Sequence, residues 1–172
     1  MKVNSGLLKG RILISPKSSA VRPTSDKVRA AVFSSLADRA EGARFLDVFA
    51  GTGAVGIEAY SRGASFVTFV EKEPSILKTN VKLLPPESYK ILPKDIFTLN
   101  FSSTYDIIFI DPPYGEYTAE KLLGFIYEKG LLADGGVIVY EESVRTAINK
   151  DGMPFELVKE RRYGDTVIMY WE

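Results

Sequence analysis

Hydrophobic positions along the chain fall into two alternating patterns. Short continuous runs at 45–49, 66–70, 89–92, 105–110 and 136–141 have the length and the β-branched and aromatic content of buried strands. Between them the apolar residues recur at three- and four-residue intervals. That spacing predicts a helix running to about residue 39, with Val28, Ala31, Val32 and Leu36 on one stripe and Thr24 or Ser25 as its cap. Further helices are predicted from a glycine turn to about 62–63, from Pro74 to about 84, and over 117–129. Two β-rich runs, 155–162 and 166–171, flank Gly164-Asp165 and predict a closing hairpin. Residues 7–14 look like strand or hairpin material and lead into a Ser- and Pro-rich loop over 15–24. Strands alternating with helices imply a parallel sheet covered on both faces, and the final hairpin requires at least one antiparallel strand. The expected architecture is α/β and doubly wound, with residues 1–24 as a small N-terminal β extension and 25–172 as the main domain.

Composition narrows the chemistry. The chain has no cysteine and no histidine, which excludes thiolate metal sites, cysteine nucleophiles and Ser-His-Asp catalysis. Carboxylates, amines, tyrosines, backbone groups and a cofactor remain. No apolar run reaches the roughly 18 residues of a membrane span, and residues 1–6 lack the layout of a secretory signal, so a cytoplasmic protein without a membrane partner is expected. Net charge is zero but unevenly spread. Residues 1–29 hold seven basic side chains against Asp26, a net of +6; the other 143 carry 15 basic and 21 acidic groups, a net of −6. The N-terminal segment therefore reads as either a phosphate-contacting arm, with Lys9 and Arg11 at its centre, or a solvated basic terminus.

Gly51-Thr52-Gly53-Ala54-Val55-Gly56 follows one strand and opens a helix. Backbone lacking side chains there can approach a ligand at the helix N-terminus. Glu71, closing the next strand, is placed for ribose hydroxyls. The pattern suits a nucleoside cofactor, NAD or S-adenosylmethionine. Asp47 favours the latter, since an acid at that point can face an amino-acid ammonium that NAD lacks; a structural Asp47 capping the turn stays open. Asp95-Ile96 follows the third strand, where the acid can accept from an adenine amino group or simply cap a helix. Asp111-Pro112-Pro113-Tyr114 is the most specific stretch. An aromatic amine is a poor nucleophile because its lone pair is delocalised. A carboxylate (Asp111) and a carbonyl held by consecutive prolines (Pro112) can accept both N–H groups and turn the lone pair outward. Tyr114 offers a flat surface for an extruded base.

Arg22-Pro23-Thr24, Asp26-Lys27-Val28-Arg29, the run from Leu46 to Gly56, Glu58-Ala59-Tyr60-Ser61-Arg62-Gly63-Ala64, Asp111-Pro112-Pro113-Tyr114 and Tyr163-Gly164-Asp165-Thr166 together resemble the RsmD-type bacterial 16S rRNA guanine-N2 methyltransferases, from about Leu7 to Trp171. The resemblance implies a Rossmann-like class I methyltransferase fold and S-adenosylmethionine as cofactor, held by Asp47, Gly51, Gly53, Glu71, Asp95 and Ile96. It also implies a guanine amine held by Asp111, Pro112 and Tyr114, with Arg22 and Thr24 near the methionine end or substrate entrance. The implied substrate is 16S rRNA within a small-subunit assembly particle, contacted by an N-terminal hairpin. A monomer acting without a metal is expected. Ala30 and Ser34 stand where the family usually has an acidic residue and an Asn. Competing readings are an adenine-N6 methyltransferase on DNA or RNA, an NAD-dependent oxidoreductase, and a non-catalytic RNA-binding assembly factor.

Overall fold

The computed structural model describes residues 1–16, 25–113 and 115–172. Among the described residues the strands are β1 Arg44–Val48, β2 Phe66–Val70, β3 Tyr89–Leu92, β4 Tyr105–Ile110, β5 Leu132–Ser143, β6 Leu157–Tyr163 and β7 Thr166–Trp171. The α-helices are α1 Asp26–Leu36, α2 Ala54–Ser61, α3 Ser75–Asn80 and α4 Ala119–Glu128. All strands join one sheet in the order β3-β2-β1-β4-β5-β7-β6. The first five are mutually parallel, and β7 lies antiparallel between β5 and β6. This is a Rossmann-like class I methyltransferase fold.

Both faces of the sheet are covered, which is why its central strands read as unbroken hydrophobic runs rather than alternating ones. Phe45, Phe69, Ile107, Phe109, Val139 and Tyr170 pack with Val32 and Phe33 of α1, Ile57 of α2 and Leu77 of α3. Their neighbours Leu46, Val48, Ile108, Ile110, Tyr140 and Trp171 face the other way, onto Leu122, Leu123 and Ile126 of α4. Helix α2 sits unusually close to β2: a Cβ added at Gly56 would lie 2.3 Å from the Phe69 ring and 2.8 Å from Val67. A side chain there would lift the helix away from the strand, so the glycine serves packing.

The chain leaves β1 toward β2 on one side and returns to β4 on the other. Ligands of open α/β sheets bind at the carboxyl ends of the strands at such a reversal, and the site lies at this one. Among the described residues no helix is long and apolar enough to cross a membrane.

The N-terminal segment folds back on itself as a small hairpin: among the described residues Lys2 bridges Ile12 antiparallel, and the Val3 and Leu13 amides donate to the carbonyls of Arg11 and Met1 at 3.0 and 3.1 Å. Side chains of the main domain hold it in place. Glu58 of α2, fully buried, accepts from the Asn4 and Ser5 amides at 2.7 and 3.1 Å. Asn80 accepts from the Ile14 amide at 2.9 Å and donates to the carbonyls of Ile14 and Thr52. Arg29 was counted with the basic arm, yet it is fully buried, binding Asp26 at 2.9 Å and lying 3.5 Å from Glu58. Its charge is spent inside the protein, where an unpaired Glu58 would be costly.

Other boundaries shift for local reasons. Ser25 caps α1 through the Val28 amide, but α1 stops at Leu36 because Ala37 adopts φ 49°, and a 3-10 turn covers Ala37–Ala40. Helix α3 passes into a 3-10 turn at Val81–Leu83. Strand β5 begins at Leu132, four residues early, because the register against β4 slips between Tyr105 and Ile107.

Candidate active site

Strands β1, β2, β3 and β4 deliver a residue apiece to one cleft of about 630 Å³ at the carboxyl edge of the sheet, within the range of small-ligand sites. Asp47, Gly51, Glu71, Asp95, Ile96, Asp111 and Pro112 all line it. Gly53 does not. It caps α2 in the left-handed conformation (φ 79°), and a Cβ there would lie 2.4 Å from Leu77, so it shapes the turn from below. Lys9 and Arg11 are exposed but lie outside the cleft. Arg22, Thr24 and Tyr114 fall outside the described residues.

Each acid has its own environment. Asp47 is 2 % exposed, and its Oδ2 accepts the Gly56 amide at 2.9 Å. It both caps the first turn of α2 and lines the cleft. Burial pushes its pKa up to about 7, against the lowering effect of the Gly56 amide, and the charge of Glu71 raises it further. Glu71 spans the turn, accepting from Gly51 at 2.7 Å through Oε2 and from Glu73 at 2.9 Å through Oε1. Asp95 caps a 3-10 turn by accepting from the Phe97 amide at 3.0 Å. Its second oxygen takes the Lys72 ammonium at 2.8 Å and the Tyr117 hydroxyl at 2.9 Å. The hydrogen bond from Lys72 is the main reason its pKa falls below the usual carboxylate range; burial opposes the shift, and the Phe97 amide and Tyr117 hydroxyl add to it.

Sequence reasoning missed the wall that these groups build. Lys72 also donates to the Tyr117 hydroxyl at 2.7 Å, and the Tyr117 ring packs on Phe49 and Phe97 with centroids 4.9 and 5.8 Å apart. Phe49 adopts φ 62° at the end of β1, a conformation a bulky residue rarely takes. Lys72 directly follows Glu71, which was a usable signal; Tyr117 joins from 22 residues beyond Asp95 and left none.

Among the described residues the lining carries six carboxylates (Asp47, Glu71, Glu73, Asp95, Asp111, Glu116) against two cations (Lys72, Lys94). Six against two leaves between three and four excess negative charges, since Asp47, with its pKa at about 7, is only partly ionised at neutral pH. Among the described residues no cluster of acids is arranged to hold a metal ion. A buried acid whose pKa is raised is stabilised by an adjacent cation, and the excess charge points the same way. The donor set therefore fits a nucleoside bearing an ammonium and a sulfonium. It fits a diphosphate poorly, since two more negative charges would enter an already negative cleft.

Asp111 continues β4 past Ile110, is half-buried, and donates its amide to the Val48 carbonyl of β1 at 3.4 Å. Pro112 behind it is buried. The Asp-Pro-Pro loop thus starts where Asp47's strand ends, on the same cleft.

A family model described as conserved hypothetical protein 95 matches residues 1–172. The chain is 29 % identical over 177 residues to Ribosomal RNA small subunit methyltransferase D of Escherichia coli K12, covering all of this chain and 89 % of that protein. It is 35 % identical over 152 residues to the protein of the same name from Buchnera aphidicola subsp. Acyrthosiphon pisum, covering 84 % and 78 %. The solved structure of the Escherichia coli protein yhhF superimposes with a TM-score of 0.87 at 28 % identity, covering 99 % of this chain and 96 % of that one. The chain belongs to the conserved hypothetical protein 95 family, the RsmD-type family of ribosomal RNA small subunit methyltransferase D proteins.

Proposed function

We propose that this protein transfers a methyl group from S-adenosylmethionine to the exocyclic N2 amine of a guanine in 16S rRNA, acting as a cytoplasmic monomer on a small-subunit assembly particle. The observation that carries this reading is the shared cleft: Asp111 and Pro112 open onto the same space as the glycine turn, Asp47 and Glu71. Relatives along the whole chain that are named as ribosomal RNA small subunit methyltransferases support the substrate class. The negative lining disfavours the dinucleotide of an oxidoreductase.

Asp47, Glu71, Asp95 and Ile96 would hold the cofactor, Asp47 answering its ammonium, Glu71 its ribose and Asp95 with the Ile96 amide its adenine, and Gly51 would leave the turn open to it. When bound, S-adenosylmethionine supplies a methyl carbon made electrophilic by positively charged sulfur. The chain's own work is to position the amine. Asp111 accepts one N–H, the Pro112 carbonyl accepts the other, and the nitrogen lone pair is thereby held out of conjugation; once methylated, the nitrogen is positively charged and acidic and gives up one of these protons to water. Tyr114 provides the surface on which the extruded base stacks. An intact Asp-Pro-Pro-Tyr motif speaks against a factor that binds RNA without reacting.

Transfer of labelled methyl groups to rRNA or assembly particles, followed by nucleoside analysis, tests the proposal. N2-methylguanosine is expected; N6-methyladenosine, or no transfer to any rRNA substrate, defeats it.

A further inference from the structure

The described lining of the cleft, six carboxylates against two cations, repels a polyanion, which favours cations beside the cleft for holding the backbone. The N-terminal arm is poorly placed to do this alone. Its turn is fixed to the far end of α2, where the Leu7 amide donates to the Ser61 carbonyl at 2.7 Å and the Leu8 amide to Ser61 Oγ at 2.8 Å. Helix α2 starts at the glycine turn and runs eight residues to Ser61, so the turn carrying Lys9 sits at the end of α2 remote from the cleft, although the segment returns to the cleft lining at Pro16.

The opposite side of the sheet offers cations at the right level. Ile110 pairs with Tyr140, Ser143 with Thr166, and Tyr163 with Thr166. The β6–β7 turn and the turn after β5 therefore stand at the same end of the sheet as Asp111, and the Val144 amide joins them by donating to the Asp165 carbonyl at 2.9 Å. Three exposed arginines occupy this tip, Arg145, Arg161 and Arg162. Among the described residues none of them has an ion pair. Arg161 and Arg162 donate only to the nearby carbonyls of Glu160 and Gly164. Asp165 is the carboxylate beside them, Glu160 being paired with Lys150. Glu141 and Glu142 of β5 share the rows of Arg161 and Arg162 across β7, but both are buried, and Glu142 accepts from the Ser143 amide and the Thr146 hydroxyl. Glu156 bonds Glu172 through the backbone at the other end of the sheet, so the exposed charge at this tip is dominated by the three arginines.

We infer that Arg145, Arg161 and Arg162 form a phosphate-contacting surface that holds the RNA backbone flanking the target nucleotide on the β6 side of the cleft. The inference rests on the reading of the protein as an RNA methyltransferase. Three strand spacings separate β6 from β4, about 14 Å, within reach of nucleotides next to an extruded base. A competing explanation is that charge on edge strand β6 prevents pairing with other copies. The two differ in what they predict.

The test compares wild type, Arg161→Gln/Arg162→Gln and Arg161→Lys/Arg162→Lys on 16S rRNA and on small subunits from cells lacking the enzyme. The surface assignment expects the Gln pair to raise the RNA KM about fivefold to tenfold and to lower the salt dependence of RNA binding by about two in log–log slope. Saturated kcat and S-adenosylhomocysteine affinity should stay at wild-type values, and the Lys pair should restore the slope. An unchanged KM and slope in the Gln pair, with or without self-association, overturns it. Failure of wild type to methylate any rRNA substrate overturns the underlying reading instead, a result visible before any variant is made.

Discussion

Asp47 and Asp95 line one cleft from β1 and from just beyond β3, two strand positions apart, and their titration is displaced in opposite directions. Asp47 is sealed beneath the glycine turn with one amide for company, and loss of water raises its pKa to about 7. Asp95 is partly open and shares an ammonium, a hydroxyl and an amide, which keep it ionised. The difference teaches that strand-end acids are specialised by what surrounds them: Asp47 needs a cation from outside, whereas Asp95 already has Lys72. Asp111 is the third such acid, and the proposed chemistry falls to it.

Removing Asp111 should therefore give the largest effect and separate reaction from binding. Asp111→Ala is expected to lower methyl transfer by at least about 10³-fold, while calorimetry finds S-adenosylhomocysteine affinity within about tenfold of wild type. Transfer at the normal rate would remove Asp111 from the mechanism.

Next comes the cation-seeking acid. Asp47→Asn should weaken S-adenosylhomocysteine about tenfold or more. It should also alter the pH dependence of stability. The folded pKa, about 7, lies above the ordinary 3.8, so the native state binds more protons than the unfolded one between those values. Stability present near pH 4 is lost as pH rises toward 7 and then levels off. Denaturation midpoints of wild type should carry this decline relative to Asp47→Asn. Binding a cationic ligand should lower the pKa of Asp47 and release a proton near pH 6.5, seen as a buffer-dependent binding enthalpy that vanishes in the variant.

Disturbing the other acid should do less. Lys72→Met removes the partner of Asp95, and because Lys72 is solvent-exposed the change in S-adenosylhomocysteine affinity should stay under about fivefold. A larger change would mean that the two acids are more alike than their surroundings indicate. The smallest effect on the cleft belongs to Lys9→Ala/Arg11→Ala, expected to leave cofactor affinity untouched and to flatten the salt dependence of RNA binding. An unchanged slope would return both residues to the role of solvated surface.

Local pattern carried most of the fold. Each run of β-branched and aromatic residues between helical segments became a strand, and Gly164-Asp165 became the turn of a hairpin. The site acids were legible because they close consecutive strands. What escaped depends on contacts between distant residues. Arg29 reads as one more surface cation until Glu58, 29 residues away, is seen buried against it. Asn80 carries no motif, yet it fastens Ile14 to the carbonyl of Thr52 in the glycine turn. The early start of β5 was hidden because 132–136 includes Asp134, Gly135 and Gly136, poor strand formers, and is kept in the sheet by a slipped register. Gly53 matched a ligand-approach pattern, but Leu77 fills the space beneath it.

Phe49 sets a compromise into the fold. Its φ of 62° is the kind of backbone strain that costs about 1–3 kcal/mol, and the Tyr117 ring resting on it is the visible return. Exchanging it for glycine would relax the main chain and strip away one of the three rings of that aromatic wall in the same stroke. Because the ring's packing against the core cluster is worth about as much as the strain it sits on, about 1.5–3 kcal/mol, relaxing the backbone here should bring little heat resistance while it opens the pocket.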